Sequence, residues 1–402
     1  MPTSLDRIAE QTPTTRDRYV DFLRAASIVT VVAGHWFISM NHREGGKVFT
    51  TSAIGETSWL WLGTWFLQVI PIFFFVGGFS NLTAYESLRR RGESTGQFLR
   101  TRMARLLKPT LAFIGVWVVI EVVLHLAGCC GSGLFRGVKA PPATVPFGPL
   151  WFLGVYIVVV LVSPITIRLH RRFGLGVPIV LLLAAIAGDA FGFIGGISAA
   201  RVPNIASVWL LAHQLGYFYA DGRLTRLSKA QLWAMALASL AVLILLTNPP
   251  IWGGRGPEYF SGLPHYPKSL LGTDNEPISN MNPPTLALVA MTFWSIGLAM
   301  LARPRVSGWL QKPAAWKAVV LGNTIVMTLF LWHMTAYLLA VLVLWPLGLG
   351  RESDSTIRWW LERPLWIGVS AVFLVGLIAI LGRFERPAAA SRAPSVSGRS
   401  PG

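Results

Sequence analysis

Cysteine is nearly absent. Cys129 and Cys130 stand side by side in a glycine-rich stretch. Adjacent cysteines cannot form a disulfide framework, and these two lack the partners of a metal site, so disulfide scaffolds and zinc modules are excluded. Charge is scarce too. Only 13% of residues are Asp, Glu, Lys or Arg, where a soluble domain carries about 25%. The net charge is +17. No basic patch with interleaved aromatics falls on a polar element, so this charge does not mark a nucleic-acid-binding protein. No run alternates with the period of a membrane barrel, and no internal duplication stands out. The sequence shows no cleavable signal: a largely polar stretch of 18 residues leads into an apolar run longer than a signal core, which is expected to be a retained helix.

Apolar residues dominate instead. They make up 53% of the 402 residues, with a mean hydropathy of +0.54. Ten apolar segments are each long enough to cross a hydrocarbon core of about 30 Å as a helix. They cover 19–40, 59–84, 106–127, 149–168, 175–193, 203–220, 229–247, 283–302, 318–346 and 363–382. The expected fold is an all-α polytopic membrane bundle of about ten helices. Residues 1–18 form a tail on one side, 19–383 the membrane domain, and 384–402 a Pro/Ser/Ala/Gly-rich tail read as disordered. With the N-terminus in the cytoplasm, the inner loops and tails hold 24 Lys and Arg and the outer loops 10. That bias follows the positive-inside rule and places both termini in the cytoplasm. The longest outer loop, about 248–283, is rich in proline, and loops of that length are often functional.

The first segment, YVDFLRAASIVTVVAGHWF (19–37), carries Arg24 and His35. Eleven helical residues turn through about 1100°, so the two share a face, about 16 Å apart along the axis. Ionisable groups are costly in a membrane and face polar cavities. Two on one stripe point to a cavity running much of the way across, with Arg24 near the cytoplasm and His35 in the outer half. Asp21 lies one turn before Arg24. Counted by helical rise, His35 lies about 24 Å deep and Glu121, Asp189 and His333 about 21–23 Å. They form a candidate polar layer. Glu121 and His125 share one helix face. His213 could line the cavity, whereas His42, His170 and His265 fall in loops and are expected to be solvated. Trp151 and Phe152 open the fourth helix, either as interfacial anchors or as a cavity wall.

Arg, ten residues, then His in a first membrane helix resembles the signature of acyltransferase family 3. Four more segments match in order: PIFFFVGGF (71–79), FLRTRMARLLKP (98–109), GPLWFLGVY (148–156) and GNTIVMTLFLWH (322–333). The resemblance covers roughly residues 18 to 385. It departs at Gly77-Gly78, where the family has Ser-Gly, and at Trp332, where tyrosine is usual.

The resemblance implies transfer of an acyl group, often acetyl, to a hydroxyl of an envelope sugar or glycolipid. The donor would be cytoplasmic acyl-CoA, used as a substrate, with no resident cofactor and no metal. Arg24, Arg102 and Arg105 are then candidates for the CoA phosphates, since guanidinium pairs bidentately with phosphate. His35 is the candidate general base and Glu121 or Asp189 its orienter. Trp151 and His333 are candidate acceptor contacts. A secondary transporter or flippase would share the helix count and the buried charges. Inverted repeats with matched helix breaks would mark that class, and the sequence shows no such pairing.

Overall fold

The computed structural model describes residues 16–44, 47–55, 57, 59–127, 145–247, 266–272, 279–352 and 354–382. Cys129, Cys130, His265, most of the long loop and the C-terminal tail lie outside them. The chain is a helical membrane bundle with one two-stranded hairpin. Its helices are α1 (Arg18–Ile38), α2 (Leu60–Leu67), α3 (Ile70–Arg90), α4 (Thr95–Leu126), α5 (Leu150–Phe173) and α6 (Gly176–Asp189). After a π-helical turn, Ala190–Ile194, come α7 (Asn204–Ala220), α8 (Lys229–Thr247), α9 (Leu286–Trp309), α10 (Pro313–Thr324), α11 (Val326–Leu344) and α12 (Ile357–Leu381).

All ten apolar segments are helical. Among the described residues nine are long and apolar enough to cross a membrane. The other, α7, has 17 residues, and 13 of them are buried. It is the central post of the bundle, with almost no surface left for lipid.

Two expected helices are broken. The 59–84 segment stops at Leu67 and restarts at Ile70, where Pro71 occupies the first turn. A proline is tolerated there because its missing N–H has no helical partner anyway. The 318–346 segment breaks at Ile325, between α10 and α11. Irregular backbone at membrane depth survives only in protein or along a cavity, and Gln68 and Val69 do line one.

The hairpin was not anticipated. Strands β1 (Ser39–Glu44) and β2 (Lys47–Ser52) pair antiparallel, with Ser39 opposite Ser52 and Glu44 opposite Lys47. Its base is fixed to the bundle. Asn41 donates to the Tyr337 hydroxyl at 3.0 Å, and the Arg363 guanidinium donates to the Ser39 carbonyl at 2.8 Å. The bundle therefore has a hairpin face and, at the other end of the helices, a basic face. The basic face carries Arg18, Arg102, Arg171, Arg223 and Arg303, with Arg18 donating to the Leu310 carbonyl and Arg171 to Glu86.

The most extensive helix pairings are α3 with α7, α8 with α9 and α11 with α12. The α3–α7 crossing brings backbone onto backbone. A Cβ on Gly78 would overlap the His213 carbonyl, and one on Gly216 would overlap the Phe75 carbonyl. Small residues at membrane crossings permit this approach. A side chain at Gly78 would therefore meet helix backbone, whereas one at Gly77 would first meet the Tyr156 side chain. Gly216→Ala is expected to destabilise the bundle by about 1–3 kcal/mol, toward the upper end because helix backbone cannot yield as a side chain does. Thermal unfolding in detergent measures it, and an unchanged midpoint would refute the tight crossing.

Candidate functional site

The outer part of the helical stripe read from the sequence lies on a cavity wall: His35 lines it and Arg24 does not. Ser27, Thr30, Val31, Gly34, His35 and Ile38 of α1 line a cavity of about 610 Å³. That is the size range of small-molecule sites. Phe73 of α3, Trp151 and Phe152 of α5, Trp209 of α7 and Phe330 of α11 form the rest of the wall. Ser52 at the end of β2 and Ile54 just beyond it, with Gly272 and Met281 from the long loop, close the hairpin-face end. Polar groups are few and dispersed: Ser27, Thr30, His35, Ser52, Gln68, Ser279 and Asn282.

Arg24 sits one turn below Ser27. Its guanidinium donates to Asp21 at 3.0 Å, to the Asn323 side chain at 3.3 Å and to the Ser80 hydroxyl at 2.6 Å. Asp21 is buried and also receives Arg16. Arg102 of α4 donates to the Ser80 carbonyl, so Ser80 is grasped by both arginines. Arg105 is exposed, one turn further along α4. Arg24 and Arg105 both lie within electrostatic range of Arg102. Three guanidiniums thus lie within range of one another, and Asp21 contacts one of them, Arg24. Sequence reasoning missed Asn323 and Ser80. Asn323 sits at the α10–α11 break, where its amide also donates to the Asp21 and Val319 carbonyls at 2.9 Å each.

His35 is half-buried and opens onto the cavity. Its Nδ1 lies 2.8 Å from the Val31 carbonyl, one turn back on its own helix. A carbonyl only accepts, so Nδ1 carries the hydrogen and Nε2 keeps the lone pair. His333 stands behind it, with ring centroids 5.0 Å apart, and its Nδ1 is likewise held by the Phe330 carbonyl at 2.7 Å. Trp36 fixes the two helices by donating to the His333 carbonyl at 2.9 Å. His333 is fully buried, and its Nε2 has no hydrogen-bond partner among the described residues.

Several expected assignments need correcting. Neither carboxylate orients His35: the orienter is the Val31 carbonyl. Glu121 is half-buried on α4 beside exposed Val122 and Val123, and neither touches His35 nor lines the cavity. Asp189 is a structural anchor. Its oxygens accept from Asn204 at 2.8 Å, the Tyr266 hydroxyl at 3.0 Å and the Leu286 amide at 2.8 Å, with Arg201 at 3.9 Å. It caps the first turn of α9 from another element, as an acidic group favours at a helix N-terminus. Burial, then the charge of Asp189, pushes the Tyr266 hydroxyl well above its usual pKa, so it stays a donor. Asp189→Ala is expected to cost about 3–5 kcal/mol, because the donors and Arg201 lose a buried partner. Chemical or thermal unfolding measures it; a loss below about 1 kcal/mol would refute the anchor role.

His333 belongs to the polar layer but packs against His35 instead of lining the cavity, so it is no acceptor contact. Trp151 does line the cavity, at 45% exposure. His213 is fully buried and bonded to Asn81 at 3.0 Å, away from the cavity. His170 is not solvated. It is buried in α5, between Asp221 at 2.7 Å and Gln214 at 2.6 Å. Among the described residues no group of three His, Cys, Asp or Glu could hold a metal.

The fold defines an integral membrane protein with a cavity lined by His35, and the same helix carries Arg24 one turn beyond that lining, toward the basic face. A family model described as an acyltransferase domain matches residues 17–383, nearly the whole chain, and the chain belongs to acyltransferase family 3. It is therefore a multi-pass membrane acyltransferase. No curated protein and no solved structure matches it.

Proposed function

We propose that the protein takes an acyl group, acetyl in the simplest case, from acyl-CoA in the cytoplasm and transfers it to a hydroxyl of an envelope carbohydrate or glycolipid. The supporting observation is the order along α1: Arg24 toward the basic face, then the cavity lining from Ser27, and His35 on that lining three helical turns above Arg24. In this reading the basic face is cytoplasmic, and the host membrane is the bacterial cell membrane. Arg24, Arg102 and Arg105 receive the CoA phosphates. The pantetheine arm extends along α1 over about 16 Å of helix. The Nε2 lone pair of His35 takes the acceptor's hydroxyl proton while the oxygen attacks the thioester carbonyl. Trp151 and Trp209 form the acceptor's wall.

The test is labelled acetyl transfer from acetyl-CoA in membranes supplied with envelope lipids and polysaccharides. Wild type should label a product that purification then identifies. Label recovered only in translocated, unreacted acetyl-CoA would instead establish transport.

A further inference from the structure

A second cavity lies on the basic face, apart from the first. It is a groove of about 420 Å³ between α6, α7, α8 and α9. Its floor is buried: Leu215 and Phe218 of α7 and Leu224 beyond it. Its walls are apolar and open, with Leu175 at 65% and Ile179 at 54% exposure. It rises from Leu175 past Leu182, about 10 Å along α6, with Met235 and Phe293 opposite. One charged residue lines it. Arg223 stands at its basic-face end, its guanidinium 5.3 Å over the Phe218 ring and close to Gly174 at the foot of α6.

Arg223 is exposed and has no ion-pair partner among the described residues; neighbouring Asp221 is committed to His170 at 2.7 Å. Exposed Arg226 lies one turn on. An apolar trough that ends in an unpaired guanidinium complements a molecule with one anionic head and an apolar tail. Basic pockets between membrane helices bind anionic phospholipid headgroups. We propose that this groove holds one anionic phospholipid of the basic-face leaflet, with its phosphate at Arg223 and an acyl chain along Leu175, Ile179 and Leu182. The catalytic cavity shares none of these residues, so the site is separate from acyl transfer.

The experiment uses the full chain in detergent, titrated with phosphatidylglycerol or phosphatidylcholine, and reads bound lipid by native mass spectrometry. The proposal expects tighter retention of phosphatidylglycerol. Arg223→Gln should lower that retention about fivefold, to the phosphatidylcholine level, and Arg223→Lys should restore most of it. Leu182→Trp, which fills the trough, should reduce retention of phosphatidylglycerol with Arg223 intact. Equal retention of the two lipids by wild type, or no effect of Arg223→Gln, would overturn the proposal and leave ordinary boundary lipid. Displacement of phosphatidylglycerol by palmitoyl-CoA at equal concentration would overturn it too, by assigning the groove to an acyl donor. A misfolded Leu182→Trp variant leaves the Arg223 pair of variants to decide.

Discussion

Replacing His35 with alanine is expected to lower kcat for acyl transfer by about 10²–10⁴-fold, the usual contribution of a positioned general base. The donor KM should change little, because the arginines lie three turns away. The fold should survive: His35 is half-buried at a cavity wall, and its hydrogen bond returns to its own helix. Steady-state kinetics on protein of unchanged thermal midpoint checks this. Equal rates in mutant and wild type would remove the base role from His35. His333→Ala gives the contrast. It should cost less, since that ring acts only by packing behind His35.

Arg24→Ala is expected to raise the KM for acyl-CoA by about 10–150-fold, the loss of 1.5–3 kcal/mol for a charged hydrogen-bonding group. The acceptor KM should move much less. Arg24→Lys should fall between, since ammonium keeps the charge but loses the planar fork. Arg24 also ties α1 to Ser80 and Asn323, so the comparison must be made at a temperature where both variants remain folded. The double substitution Arg102→Ala and Arg105→Ala should likewise weaken the donor more than the acceptor. Equal acyl-CoA affinity in the double variant would remove these two from the donor site and leave their charge as a topology signal.

What the sequence made legible was local. The stripe from Arg24 to His35 follows from helical periodicity within one segment, and its outer part, from Ser27 to His35, lines the cavity. Each apolar run became helix for the same reason. What stayed hidden depends on which segments meet. Asp189 and His35 sit at similar depth, but depth does not say which neighbour a side chain faces. The partners of Asp189, Tyr266 and Leu286, are 77 and 97 residues away. His170 read as a loop residue because its helix was ended too early; α5 runs to Phe173 and buries it. The hairpin had a signal that went unread: a Gly-Gly pair flanked by SMNHRE and KVFTTS, a two-residue connection between extended runs. The break at Ile325 had only a weak signal, Gly322 and Asn323 in the turn before it.

The carbonyl that holds His35 has a kinetic consequence. A carboxylate beside the ring would stabilise imidazolium and let the proton wait there. Val31 offers only a dipole, and the nearest ring is another imidazole at 5.0 Å. A protonated His35 would be an unpaired charge within the bilayer, which is costly. With His35 as the proposed base, the proton has to leave promptly, and its destination is the departing thiolate of the proposed CoA donor. Donor and acceptor must then occupy the cavity together. Initial-rate plots should show intersecting lines of a ternary complex, not the parallel lines of a ping-pong enzyme that stores an acyl group between substrates.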